Sequence, residues 1–93
     1  VNELLKTLAE QKDYYNLHKY AAQAISVDPG NVKAYYWMII STCNLGSEEL
    51  AVTQLSTAEK NLTEEEYADL LRKLRDARIT PLADAFYNEK LVK

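Results

Sequence analysis

One cysteine, one histidine, one tryptophan, two glycines and two prolines are all that 93 residues contain of these types. Each shortage excludes something. Cys43 has no second cysteine to bridge to, so there is no internal disulfide, and with no histidine cluster at zinc spacing there is no metal site to build around it. That usage fits a reducing, cytoplasmic setting. With so few turn-formers a many-stranded β fold is excluded, and the Ala, Leu, Glu and Lys content favours helices. No apolar run approaches the ~20 residues needed to span a bilayer, and the N-terminus lacks a signal-peptide pattern, so no membrane partner is expected. Basic charge is also scarce: 11 Lys and Arg against 14 Asp and Glu give a net charge of -3. A phosphate-backbone binder needs a dense cationic surface, which argues against direct nucleic-acid binding.

What remains is one helical domain. Its 47% hydrophobic content suffices for a single core at this size, where roughly two thirds of the unfolded surface is buried. The chain starts at Val1 and enters a helical pattern at once, as expected of a domain cut from a longer protein.

Apolar residues at period 3.6 mark six short helices. In "NELLKTLAEQ", Leu4, Leu5 and Leu8 make one face. Asp13 caps "YYNLHKYAAQAISV", with Tyr14, Leu17, Ala21 and Ala24 on one stripe, and Pro29 follows its end. Asn31 caps a third helix through about Asn44, and Gly46 stands where a left-handed residue closes a helix. Ser47 restarts the chain into "EELAVTQLSTAEKN", whose Glu48 and Glu49 oppose the positive end of the helix dipole. Thr63 and Glu66 form a capping box for a fifth helix through about Ala77. Thr80 and Pro81 open a sixth, "LADAFYNEKLVK". The fold expected is all-α, a stack of antiparallel helix hairpins.

The hairpins repeat. A shift of ~34 residues, the period of one helical-repeat class, lays Leu4 and Leu5 on Met38 and Ile39, Leu8 on Thr42, Leu17 on Ala51 and Ala24 on Ala58. A weaker third copy falls about two residues early: Tyr67, Leu70, Leu71 and Leu74 echo Tyr35, Met38, Ile39 and Thr42, and Leu82, Ala83 and Tyr87 serve its second helix. The units are residues 1–30, 31–62 and a degenerate or capping 63–93.

On these residues the chain resembles the tetratricopeptide repeat family over nearly its whole length. Tyr35 stands where that family prefers Trp and Met38 where it has Leu; Gly46 marks the inter-helix turn, and Ala51 and Ala58 the small positions. The "DP" of "DPGN" matches the repeat junction. Ile39, Lys12 and Thr63 depart from the pattern, replacing a small residue, a turn glycine and a junction proline. More loosely, "AISVDPGNVKAYYWMIISTCNLGSEELA" is similar to the bacterial transcriptional activator domain. The resemblances imply a TPR-like α-α superhelix that binds a protein or peptide, or another domain of its own chain. The alternative is a helical regulatory domain of a larger transcriptional activator or signalling protein. Homodimerisation through an exposed stripe is a third reading.

Tyr35, Tyr36 and Trp37 lie about 100° apart around one helix, so they are expected to do three jobs. Tyr35 joins Met38, Ile39 and Thr42 toward the core. Tyr36 shares a second stripe with Ile40 and Cys43, the side that the resemblance turns toward a concave groove; Trp37, near Lys33 and Asn44, lies almost opposite the core. Aromatic stripes at helical spacing are usually core, and neighbouring hairpins or the sixth helix would cover these. The functional reading makes Tyr36, Ile40 and Trp37 the apolar floor of a partner-binding groove, flanked by Lys6 and Lys33 on one side and Arg72 and Arg75 on the other. It would accept an extended peptide or a helix with an apolar face and acidic flanks. The carboxylate-binding lysine and asparagine set of the resembling family is not reproduced, because Ile40 and Trp37 occupy positions that need polar groups, so recognition of a chain end is not expected.

The weaker signals read as structure. His18 has no co-ligand and is an ordinary boundary histidine. Glu64, Glu65 and Glu66 compensate a helix dipole and lack the alternating ligands of a calcium loop. "NLT" at Asn61 matches a glycosylation sequon, but Thr63 is already used as a cap. Cys43 is a small apolar filler. No Ser/His/Asp set, phosphate-cradling loop or cofactor motif is present, so no enzyme and no cofactor are expected.

Overall fold

The structure is a computed structural model that describes residues 2–46 and 48–77. It is all-helical: α1 (Asn2–Glu10), α2 (Tyr14–Val27), α3 (Val32–Asn44), α4 (Glu48–Asn61) and α5 (Glu64–Asp76), with no strand among the described residues. The expected sixth helix, with Thr80, Pro81, Leu82, Ala83 and Tyr87, lies outside the described residues, as does the Ser47 restart.

Side chains at the helix starts explain where the chain turns. The Asp13 carboxylate accepts from the Asn16 backbone N–H at 3.3 Å, and its other oxygen accepts from Asn16 Nδ2 at 2.8 Å. Asn31 Oδ1 accepts from the Ala34 N–H at 3.2 Å. At α5 the capping box closes reciprocally: Thr63 Oγ1 accepts from the Glu66 N–H, and the Glu66 carboxylate accepts from the Thr63 N–H. Two hairpin turns use left-handed backbone, at Lys12 (φ 58°) and Gly46 (φ 87°).

α3 is the centre of the molecule. It packs against α1, α2, α4 and α5, most extensively against α2. Tyr35, Ile39 and Thr42 are essentially inaccessible, and Met38 and Ile40 nearly so. Its two core hydroxyls are satisfied locally, Ser41 Oγ and Thr42 Oγ1 both donating to the Met38 carbonyl at 2.7 and 2.9 Å. Around it Leu5, Leu8, Leu17, Ala21, Ala51, Leu55 and Ala58 complete the core, joined by Tyr67, Leu70, Leu71 and Leu74 from α5. The small residues on α2 and α4 permit close helix approach. Asn61 Nδ2 donates to the Tyr35 hydroxyl at 3.0 Å, tying the end of α4 to the start of α3.

Two expectations change. Leu4 does not share the fate of Leu5 and Leu8: it is 47% exposed, because α1 meets α2 and α3 and no described helix covers its remaining side. Ile40 belongs to the core rather than to a surface, at 6% exposure, because α3 is enclosed by four helices. The third unit also packs differently from the second. α2 lies along α3, whereas α4 touches α5 only briefly and α5 spends its apolar stripe mainly on α3.

Candidate functional site

Lys33, Tyr36 and Trp37 occupy the first turns of α3 and point into a groove of about 590 Å³. Glu3 and Lys6 of α1 form one wall, and Lys73, Asp76 and Ala77 at the end of α5 form the other. α1 thus meets α3 start to start, while α5 contributes its last turn. The groove exists because α3 carries aromatics beside its core stripe, and because α1 and α5 flank it without closing over them.

The aromatic pair makes the floor. Although their Cα–Cβ bonds diverge, the long rings of Tyr36 and Trp37 converge, with centroids 4.8 Å apart and planes at 66°. This edge-to-face geometry is favourable for aromatic quadrupoles. The two lie on different stripes of α3 yet line one groove, both half-buried, as the functional reading of the sequence placed them. Partial burial, with the Asp76 carboxylate adding repulsion, raises the Tyr36 phenol above its ordinary pKa of 10.0.

Of the residues expected to line the groove, Lys6, Lys33, Tyr36 and Trp37 come together. Ile40 lies beneath, in the core. Asn44 sits at the far end of α3, its Nδ2 donating to the Ile40 carbonyl at 2.8 Å, and does not line the groove. Arg72 instead borders a separate cleft with Glu59 and Leu62 of α4 and Glu64, Glu65, Tyr67 and Ala68 of α5. Arg75 is exposed and lines neither. The α5 contribution comes from Lys73 and Asp76, which the sequence reading missed. Helical spacing puts Lys73 and Ala77 on one flank of the buried stripe Tyr67, Leu70, Leu71 and Leu74, Ala68 and Arg75 on the other and Asp76 nearly opposite it, but it does not say which of these sides meets α1 and α3.

Three lysines, one from each of α1, α3 and α5, therefore line the groove with the aromatic pair, together with the carboxylate residues Glu3 and Asp76. Lys73 Nζ lies 3.9 Å from Asp69 Oδ2, an exposed i,i+4 pair of little energetic weight. Such a surface suits an apolar side chain carried beside carboxylates.

Elsewhere, His18 is half-buried and its Nε2 lies 3.3 Å from Nε2 of the buried Gln54, bridging α2 and α4. Among the described residues no group of three His, Cys, Asp or Glu is placed to hold a metal ion, and no helix is long and apolar enough to cross a membrane. Set against protein-family models, curated proteins and solved structures, the chain matches none of them.

Proposed function

We propose that this chain is a TPR-like interaction module that holds a peptide or helix in the groove crossing α1, α3 and α5. The observation that carries the reading is the Tyr36–Trp37 floor, half-exposed and sharing its groove with Lys6, Lys33 and Lys73. Aromatic side chains held in a concave, partly desolvated position are the commonest energetic anchors of protein interfaces. The stacked-hairpin reading is supported by equivalences one repeat apart: Leu5 and Ile39, Leu8 and Thr42, Leu17 and Ala51, and Ala24 and Ala58 are all buried, and Lys12 and Gly46 share left-handed backbone. In this reading α5 acts as a tilted cap on the first two hairpins. The partner presents an apolar face bordered by carboxylates, which the three lysines attract.

The test uses two sets of labelled amphipathic peptides that share an apolar face and differ only in acidic or basic flanks, with fluorescence anisotropy as the readout. The acidic set should bind, and Tyr36→Ala with Trp37→Ala should weaken that binding at least about thirtyfold, a hot-spot-sized loss. Helix content by circular dichroism should be unchanged. Lys33→Glu should erode the preference for acidic flanks. Equal binding of both sets, or binding that survives loss of the aromatics, would remove the proposal.

A further inference from the structure

Ala77, the C-cap of α5 and the last of the described residues, is itself a wall of the Tyr36–Trp37 groove. The chain therefore continues from the groove's own edge. Residues 78–93 lie outside the described residues, and their sequence shows what they bring to that edge. Thr80 and Pro81 are a helix cap and first-turn pair, and at about 100° per residue Leu82, Ala83, Phe86 and Tyr87 fall within one arc of about 140°. Asp84 borders that arc on one side and Glu89 on the other. An apolar face between carboxylates is what the aromatic floor and the lysines Lys6, Lys33 and Lys73 ask of an occupant. Lys90, a turn beyond Phe86, suits the carboxylates Glu3 and Asp76 that line the same groove.

We propose that residues 82–93 occupy the Tyr36–Trp37 groove of their own chain, with Phe86 on the aromatic pair, and that a partner binds by displacing them. The inference rests on the groove reading above and adds its regulation. Attachment favours the internal occupant, because only residues 78–81 separate Leu82 from Ala77, and so short a tether holds the segment at roughly millimolar effective concentration. A free partner meets an open groove in only a fraction of the chains. Its apparent affinity falls by that fraction.

Trp37 is the protein's one tryptophan, so its fluorescence in the full 93-residue chain reports on the groove alone. Phe86→Asp should shift the emission to the red and raise quenching by acrylamide. Val92→Asp places the same charge on the opposite side of the segment and should change neither. Asp84→Lys combined with Glu89→Lys removes no apolar group and should uncover Trp37 in the same direction, less completely, so the test does not depend on Phe86 alone. The acidic-flanked peptide should bind Phe86→Asp at least about tenfold more tightly than the parent chain. Dilution should leave the shielding of Trp37 unchanged, since the occupant is tethered. Shielding lost on dilution would assign the occupant to a second copy and overturn the proposal, as would equal quenching of Trp37 in the parent, Phe86→Asp and Val92→Asp chains. With equal quenching, a peptide that binds parent and variants alike would still uphold the groove as a partner site. A Trp37 that Phe86→Asp uncovers, in a groove that then takes no peptide, would uphold the internal occupant and remove the partner reading instead.

Discussion

Lys12 and Gly46 occupy equivalent turns in the hairpins α1–α2 and α3–α4, and both adopt left-handed backbone, with φ of 58° and 87°. The interiors of the two hairpins match as well, Leu5 and Ile39 being inaccessible alike, as are Leu17 and Ala51. The outer positions do not. Leu4 is half-exposed where Met38 is buried, and exposed Lys6 stands where Ile40 is core. Burial at these paired inward positions therefore agrees between the hairpins, whereas burial on their outer sides depends on which helices lie alongside. Among the described helices α3 packs broadly against four neighbours and α1 against two. Among the described residues the second hairpin is the more enclosed and the first is an edge.

The sharpest test of that contrast is truncation at the equivalent outer positions. Met38→Ala should cost about 2–5 kcal/mol, the usual range for emptying a packed core site. Leu4→Ala should cost about 1 kcal/mol or less, since much of its surface already faces water. Urea unfolding should show the difference as a shift in midpoint at constant slope. Equal losses would mean that the open side of α1 is covered in solution, and the two hairpins would then be alike.

Much of this organisation was readable before any coordinates. The caps at Asp13, Asn31 and Thr63 stand where Ser/Thr/Asp/Asn chemistry requires them, because an N-cap is a local bond between residues two or three apart. The stripe holding Tyr35, Met38, Ile39 and Thr42 is buried for the same reason that it was legible, since helical spacing alone puts those residues on one face. Leu4, Ile40 and the contribution of α5 to the groove were not legible. Their environments depend on the direction in which a helix leaves its turn, and no short-range pattern encodes that angle. Arg72 and Lys73 are neighbours in sequence, yet one faces the α4–α5 cleft and the other the aromatic groove.

The turns allow a smaller and more symmetrical experiment. An L-residue in left-handed backbone costs roughly 1–2 kcal/mol, a penalty that glycine avoids. A Cβ at Gly46 would meet no neighbour within 4 Å, so Gly46→Ala should express that conformational cost with no added clash and lose about 1 kcal/mol. Lys12→Gly should act in the opposite sense, with a net gain of about 0.5–1 kcal/mol after the greater unfolded-state freedom of glycine is counted. Opposite signs from the two substitutions would establish that one turn geometry closes both hairpins. A loss at both would mean that Lys12 is held by something Gly46 lacks.

The smallest effect is spectroscopic and probes the flank on which α3 and α1 differ most. Tyr36 lies beside the last turn of α5, and its phenol is raised first by burial and second by the Asp76 carboxylate. The folded protein thus holds that proton more tightly than the unfolded chain does, so the linked stability is fully present below pH 10 and is lost as the pH climbs through the raised folded value. Subtracting the ultraviolet titration of Tyr36→Phe from that of the parent chain isolates this one phenol among the seven tyrosines, and its midpoint should fall above 10.0. Asp76→Asn should move the midpoint down but not all the way, because burial is the larger cause and remains. A midpoint that ignores Asp76 would detach the end of α5 from the groove, leaving the flank of α3 as open as that of α1.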